Sequence, residues 1–236
     1  MYEEDFARVY DDIYRRHKDY AGEAARIREL ALERNPGAAD LLDVGCGTGE
    51  HLALLRDDFA VTGVDLSAPM VRVAEAKLPG VPVHEGDMRT FGLDRSFDVI
   101  CSMYSSVGYL ETLDGLFAAL KNMAHHLRPG GVLIVEPWIL RDSWNGGDLV
   151  EASFENEGGK VVRMGRWTTR AGRSHVEMHY LVTSGDDPVR HFVDEQELSL
   201  FSKDEYEEAF RAAGCSVEYL PDGYVDRGVF VGVRQP

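Results

Sequence analysis

Near the N-terminus the apolar positions repeat at helical spacing. Phe6, Val9, Tyr10 and Ile13 follow it, and so do Ala24, Ile27, Leu30 and Ala31. The spacing predicts helix over residues 2–34, with a break near His17 and a stop at Asn35-Pro36-Gly37. The period then shortens. Residues 40–44, 60–65, 81–84, 97–102 and 132–136 read as short strands. Between them, 50–56, the Ser67-capped stretch to Lys77 and 113–127 read as helices, the last stopped by Arg128-Pro129-Gly130-Gly131. Strand–helix alternation at this spacing predicts a parallel sheet covered on both faces.

From about Leu149 to Phe201 the pattern turns β-rich and alternating. Residues 161–169, 175–183 and 189–200 read as strands, parted by turns at Ala171-Gly172 and Ser184-Gly185-Asp186-Asp187-Pro188. This predicts an antiparallel insertion, able either to roof a pocket or to form a dimer surface. Helix returns over 202–213, with Ser202 as N-cap and Glu205 completing a capping box. Residues 215–220 and 229–233 read as two last strands.

A chain of 236 residues is long enough for one α/β domain with an elaboration. No apolar run approaches the roughly 18 residues of a membrane span, and the N-terminus lacks a secretory core. Cys46, Cys101 and Cys215 are widely spaced, with neither zinc nor disulfide spacing, which fits a reducing cytoplasm. The formal charge of −16 argues against a polyanionic partner. The arginines between Arg163 and Arg173 read as a solvated strand face.

The densest chemistry is Asp43-Val44-Gly45-Cys46-Gly47-Thr48-Gly49, set between a strand and a helix. Glycines there let backbone approach a ligand, and the helix start offers free N–H groups. Asp65 ends the next strand, where a carboxylate can accept both ribose hydroxyls. A dinucleotide site shares this description. Its fingerprint, however, needs glycine or alanine at the sixth position, where this chain has Glu50, which would repel a pyrophosphate. S-adenosylmethionine (SAM) carries no phosphate. Its ammonium and sulfonium suit Asp43. Gly86-Asp87-Met88 follows the third strand, where a carboxylate can accept an adenine amino group.

With those three acids in register, the block from Leu41 to Pro137 resembles the class I SAM-dependent methyltransferases. The resemblance implies a Rossmann-like, doubly wound sheet of about seven strands with the last antiparallel, here carrying an antiparallel β insertion. It implies that Gly45, Gly47 and Gly49 wrap the methionine moiety, that Asp65 holds ribose, and that Asp87 holds adenine between Leu66 and Met88. Met103 would lie near the methionine part. After strand four the chain reads Cys101-Ser102-Met103-Tyr104. The Asn/Asp-Pro-Pro-Tyr motif of nucleic-acid amino-methyltransferases is absent there, which with the charge argues against nucleic acid.

A finer resemblance covers nearly the whole chain. Met1-Tyr2-Glu3, Lys18-Asp19-Tyr20, Gly86-Asp87-Met88-Arg89, Met103 to Leu110, Val135-Glu136-Pro137-Trp138 and Arg227-Gly228-Val229-Phe230 are similar to the N,N-dimethyltransferases of nucleotide-linked amino sugars. The resemblance implies one domain, 1–236: a helical lid (1–36), a SAM-binding core (37–148), the insertion (149–201) and a C-terminal helix with two strands (202–236). Tyr2 would face substrate and Tyr10 the cofactor. Ser106, Tyr109 and Trp138 would line the sugar pocket with Glu136 at its edge. Arg227 would bind the diphosphate of a thymidine diphosphate (TDP) sugar. Close relatives vary between Tyr and His at Tyr109. This chain also has Tyr104 where Phe is usual and Trp138-Ile139-Leu140 in place of a more aromatic stretch, so the resemblance leaves the particular sugar open.

Methyl transfer from a sulfonium is an in-line displacement, for which alignment and desolvation suffice. The attacking amine must be neutral, and water can take its proton. Tyr109 is a candidate to orient the amine and Glu136 to accept a proton. Their plainer readings are packing at the strand's end for Tyr109, and a hydrogen bond to backbone or to the SAM amino group for Glu136. His125 and His126 read as a helix-end pair at the surface. His175, His179 and His191 read as insertion surface, and Cys46 as a small residue the loop requires. Trp138, Trp144, Phe154 and Trp167 read as core or interface. No metal cluster is expected. Two rival readings stand beside the sugar enzyme: a methyltransferase of another small acceptor, and a non-catalytic SAM-binding module.

Overall fold

The computed structural model describes residues 10–11, 13–15, 18–156, 159–222 and 227–236. Seven strands form one sheet: β1 (Asp40–Val44), β2 (Ala60–Asp65), β3 (Val83–Glu85), β4 (Phe97–Ser102), β5 (Leu127–Val135), β10 (Glu218–Leu220) and β11 (Val229–Val233). Their order is β10-β11-β5-β4-β1-β2-β3. Neighbours from β5 to β3 run parallel, and β11 runs antiparallel to both β5 and β10. The sequence changes winding direction between β1 and β4. In a doubly wound sheet the crevice opens at the carboxyl ends of such a pair.

Among the described residues, helices α1 (Tyr20–Arg34), α2 (Glu50–Leu55), α3 (Ala68–Lys77), α4 (Leu113–His125) and α5 (Lys203–Ala212) cover the sheet. Side chains alternate across each strand, so Leu41 and Leu42 enter opposite cores. Leu41, Val99 and Ile134 pack with Ile27, Leu30, Leu52 and Leu55. Leu42, Ile100 and Leu133 pack with Leu116, Leu120, Met123 and Phe210. The Ser202–Glu205 capping box at α5 is present as read.

Strands β3, β5 and β10 have other bounds than the sequence reading gave, and β5 differs most informatively. Strand β5 begins at Leu127 and runs through the Pro-Gly-Gly stretch taken as a helix stop. There Gly130 N–H donates to the Arg234 carbonyl and Arg234 N–H donates to that of Gly131, each at 2.9 Å. A pairing partner more than 100 residues away thus overrides the local turn signal. His126 is buried at the same corner. Its Nε2 accepts the Leu93 N–H at 3.1 Å and its Nδ1 lies 2.9 Å from the Asn122 carbonyl, so it is a structural residue and not the surface residue expected.

The insertion is a separate antiparallel sheet of four strands, β6 (Leu149–Asn156), β7 (Gly159–Arg170), β8 (Arg173–Ser184) and β9 (Arg190–Leu198), in chain order. β6 is a strand that the sequence reading missed. Inward-facing Val161, Val176, Met178, Tyr180 and Leu198 pack with Trp138 and with Ile13, Tyr14 and Tyr20. The inner face therefore roofs the crevice. His179 and His191 are on the exposed face, stacked at 5.3 Å. His175, expected at the surface, is buried and lies 2.8 Å from the Arg170 guanidinium.

Candidate active site

A cavity of about 1410 Å³ lies over the carboxyl ends of β1, β2 and β4, under the inner face of the insertion. The floor is the loop after β1. Gly45, Gly47 and Gly49 all have positive φ, at 79°, 54° and 81°. They serve different ends. A Cβ on Gly47 would meet only open space, so its backbone faces the cavity. One on Gly45 would come within 2.6 Å of Ser106. Gly49 does not line the cavity; its Cβ would press on Leu78 and Ala74, so its need is packing of α2 on α3, not ligand approach.

Asp65 closes the loop from β2. One carboxylate oxygen accepts Gly47 N–H and the other accepts Ser67 N–H, both at 2.8 Å. Burial raises its pKa, and these two hydrogen bonds oppose that. Each oxygen keeps a lone pair for a ribose hydroxyl. Leu66 is 54% exposed into the same space, an apolar side chain available for an adenine ring. Met88 and Met103 also line it. Asp87 is held by Arg89, which donates to it from its backbone at 2.8 Å and from its guanidinium at 2.5 Å. That pair lowers the Asp87 pKa and fixes its carboxylate in the cavity wall beside Met88.

Asp43 sits behind the loop, 1% exposed, and does not itself line the cavity. Its Oδ1 lies 3.7 Å from Cys101 Sγ and its Oδ2 has no hydrogen-bond partner. Burial pushes its pKa up to about 6. A buried carboxylate with an open acceptor beneath a glycine cradle fits a cationic ligand such as SAM. Glu50, the residue that argued against a pyrophosphate, starts α2 and pairs with Arg15 at 2.6 Å and with Lys77. Asp11 receives the Thr48 hydroxyl and pairs with Lys77 at 2.5 Å. These contacts bind the segment around Tyr10 and Tyr14 onto the loop, and both tyrosines face the cavity. Tyr2 lies outside the described residues.

The acceptor side is organised by a strained turn. Tyr104 and Ser105, just after β4, have φ of 50° and 63°, which non-glycine residues rarely adopt. Glu136 Oε2 accepts the Tyr104 N–H at 2.8 Å. Ser105 Oγ donates to the Pro137 carbonyl at 3.1 Å and receives Arg227 Nη1 at 2.8 Å. The turn delivers Ser106, whose hydroxyl donates to the Met103 carbonyl, and Tyr109, which is 44% exposed at the cavity rim. Glu136 is 1% exposed and set behind the cavity wall, its pKa raised by burial. Of its two readings, a proton acceptor or a hydrogen bond to backbone, the backbone hydrogen bond is present, to Tyr104 N–H.

Arg227 reaches the cavity with its guanidinium 4.4 Å from the Trp138 ring. Trp138 and Trp167 pack at 5.3 Å on the same side. Arg163, expected on a solvated face, turns inward and lines the roof with Tyr180, Asp194 and Gln196. Burial pushes the Asp194 pKa up to about 6, against a 2.6 Å hydrogen bond from Gln196. The sequence reading also gave no role to Lys18, Glu23 and His51, which pack together, Glu23 between the other two, in the wall of the same cavity. Lys18-Asp19-Tyr20 was conspicuous as a motif, but nothing in its spacing discloses that the lysine turns inward.

The methyltransferase domain family model matches residues 41–131. The chain is 45% identical to the dTDP-3-amino-3,4,6-trideoxy-α-D-glucopyranose N,N-dimethyltransferase of Streptomyces venezuelae, over 99% of each chain. It is 40% identical to the dTDP-4-amino-2,3,4,6-tetradeoxy-D-glucose N,N-dimethyltransferase of Saccharopolyspora spinosa, over 99% of this chain and 94% of that one. Among solved structures it matches Streptomyces venezuelae DesVI with a TM-score of 0.94 at 44% identity, covering 99% of this chain and 100% of that one. It matches SAM-bound CalS10, an amino pentose methyltransferase of Micromonospora echinaspora, at 0.89 and 38%, covering 96% and 97%. The glycine cradle, the three acids and the roofed cavity therefore have a family: the chain belongs to the SAM-dependent N-methyltransferases, in the branch of the TDP-amino-sugar N,N-dimethyltransferases.

Proposed function

We propose that the chain methylates the amino group of a TDP-linked deoxy amino sugar, adding two methyl groups in succession, in antibiotic sugar biosynthesis. The observation that carries this reading is one continuous cavity with the glycine cradle at one side and Arg227 at the other. Bound SAM supplies a methyl group already activated on a sulfonium. The chain's part is to place the amine in line and to exclude water. Tyr109 at the rim is placed to orient the amine, while Glu136 keeps the Tyr104–Ser105 turn in shape. Arg227, stacked on Trp138, takes the diphosphate. Cys46, Cys101 and Cys215 are buried free thiols, which suits a reducing cytoplasm.

Mass analysis of products from SAM and a panel of TDP sugars, with the amine at C3 or C4, tests the reading. A gain of two methyl groups on one member, with S-adenosylhomocysteine formed in step, is the expected result. No gain on any member, with SAM still bound, turns the assignment to a different small acceptor.

We also propose a homodimer through the outer face of the insertion. Val162, Met164, Leu181 and Val193 are neighbours across β7, β8 and β9 on that face and are each at least 37% exposed. Contiguous exposed apolar residues on a sheet face favour burial against a second copy.

A further inference from the structure

The acids that line the cavity divide by what already occupies them. Glu23 lies between Lys18 and His51, and Glu50 pairs with Arg15 and Lys77. Asp87 is paired with Arg89, and Asp65 accepts the Gly47 and Ser67 N–H groups. Asp19 caps α1 by accepting the Gly22 N–H at 3.0 Å. Glu111 and Glu195 are exposed. Asp194 is the different one. It is half-buried in the roof, and among the described residues it has neither a cation nor a backbone N–H as partner. It has the 2.6 Å hydrogen bond that Gln196 Nε2 donates to its Oδ2. A carboxylate withdrawn from water without a counter-ion is unfavourable, and a cationic ligand completes it.

Its place in the sheet says which cation. On the inner face β9 and β8 pair in rows: Phe192 with Tyr180, Asp194 with Met178, and Gln196 with Val176. The first row leads toward the methyl donor. The Tyr180 hydroxyl lies 3.4 Å from that of Tyr14, whose ring packs at 5.5 Å on Tyr104, the residue after Met103. The third row leads toward Arg227. Val176 pairs with Trp167 on β7, and Trp167 packs on Trp138, the ring that Arg227 covers. Asp194 is in the row between. Arg163, opposite Tyr180 on β7, is two strands away from it. A TDP sugar held by its diphosphate at Arg227 reaches across this row toward the donor, and its amine is the one cation it carries. We propose that the Asp194 carboxylate docks the ammonium of the incoming sugar and keeps a hydrogen bond from the amine once its proton has gone to water. This rests on the TDP-amino-sugar reading. With its pKa pushed up to about 6 by burial, Asp194 is still mostly ionised at about pH 7.5, as the dock requires. The neutral amine has two N–H groups before the first transfer, one before the second and none after it. The hold therefore lasts through two transfers and lapses at the dimethyl product.

Calorimetry with two TDP sugars tests it, one bearing the amine and the other a hydroxyl at the same carbon, each added to protein saturated with S-adenosylhomocysteine. At about pH 7.5 wild type should bind the amino sugar about ten- to a hundredfold more tightly than the hydroxy sugar, as for a charged hydrogen bond. Asp194→Asn should bring the two affinities within about threefold of each other, through a loss on the amino sugar alone. Because a dissociation constant is read from the folded fraction, the ratio stands even where the variant folds less well. A preference for the amine that survives in Asp194→Asn overturns the proposal. So does an equal loss for both sugars, which would make Asp194 a structural partner of Gln196 only. Wild type that binds neither sugar overturns the TDP-sugar reading itself, and the dock with it.

Discussion

Asp65 accepts the backbone N–H of Gly47 at 2.8 Å, so the end of β2 clamps the loop that follows β1. The same carboxylate takes Ser67 N–H with its other oxygen and so fixes the start of α3. A residue that the sequence suggests for a ribose is also the tie between two strand ends.

Asp65→Asn keeps the shape but turns one acceptor into a donor. Either Gly47 or Ser67 then faces an amide N–H and loses its partner. The expected outcome is a stability loss of about 1–3 kcal/mol and SAM affinity down by about tenfold or more. Urea unfolding and calorimetry measure the two.

Asp43 carries a pH signature. Its folded pKa of about 6 lies above the 3.8 of an ordinary aspartate, so between these values the folded state holds a proton that the unfolded state has released. Stability of the ligand-free protein therefore falls as pH rises through that window and stays low above it. Asp43→Asn removes the penalty, worth on the order of 3 kcal/mol at most. Urea unfolding at about pH 4.5 and about pH 7.5 should show the variant gaining more at the higher pH. An equal gain at both would contradict the buried-charge account.

Arg227→Met should raise the KM for the TDP sugar by about ten- to a hundredfold, because a desolvated ion pair is lost. The SAM dissociation constant should stay within about twofold. A KM that does not move would favour an acceptor without a diphosphate.

Tyr109→Phe separates orientation from base catalysis. Loss of a general base costs about a hundredfold or more in kcat. Loss of an orienting hydroxyl at an exposed rim should cost less than about tenfold, with an unchanged pH profile. A drop of about a thousandfold would make Tyr109 the base.

The outer face of the insertion has its own test. Met164→Lys with Leu181→Lys places charge in the middle of the exposed apolar strip. Sedimentation should report a dimer for wild type and a monomer for the double variant. A monomeric wild type would remove the interface.

Much of this site was readable before any coordinates. The glycine loop, Asp65, Asp87 with Met88 and the Ser202 cap each sit at the end of a strand or the start of a helix that the local pattern marks. The misses share a cause. The true start of β5 depends on Arg234, a distant pairing partner. The inward turn of Arg163 depends on which face of β7 meets the crevice, and alternation alone does not say. For Glu136 the sequence left two readings, a proton acceptor or a hydrogen bond to backbone, and its bond to Tyr104 N–H, from a residue 32 positions earlier, is the kind of contact that spacing does not disclose.

The insertion leaves the main chain after β5 and rejoins it before α5, so its strands β6 to β9 form one uninterrupted stretch. Every cofactor residue named from Asp43 to Met103 precedes that stretch. Recognition of the methyl donor and the roof over the acceptor are thus written in separate paragraphs of the chain. Exchange of residues 149–198 between relatives is a route by which such enzymes could be retuned to new sugars while inheriting the donor grip intact.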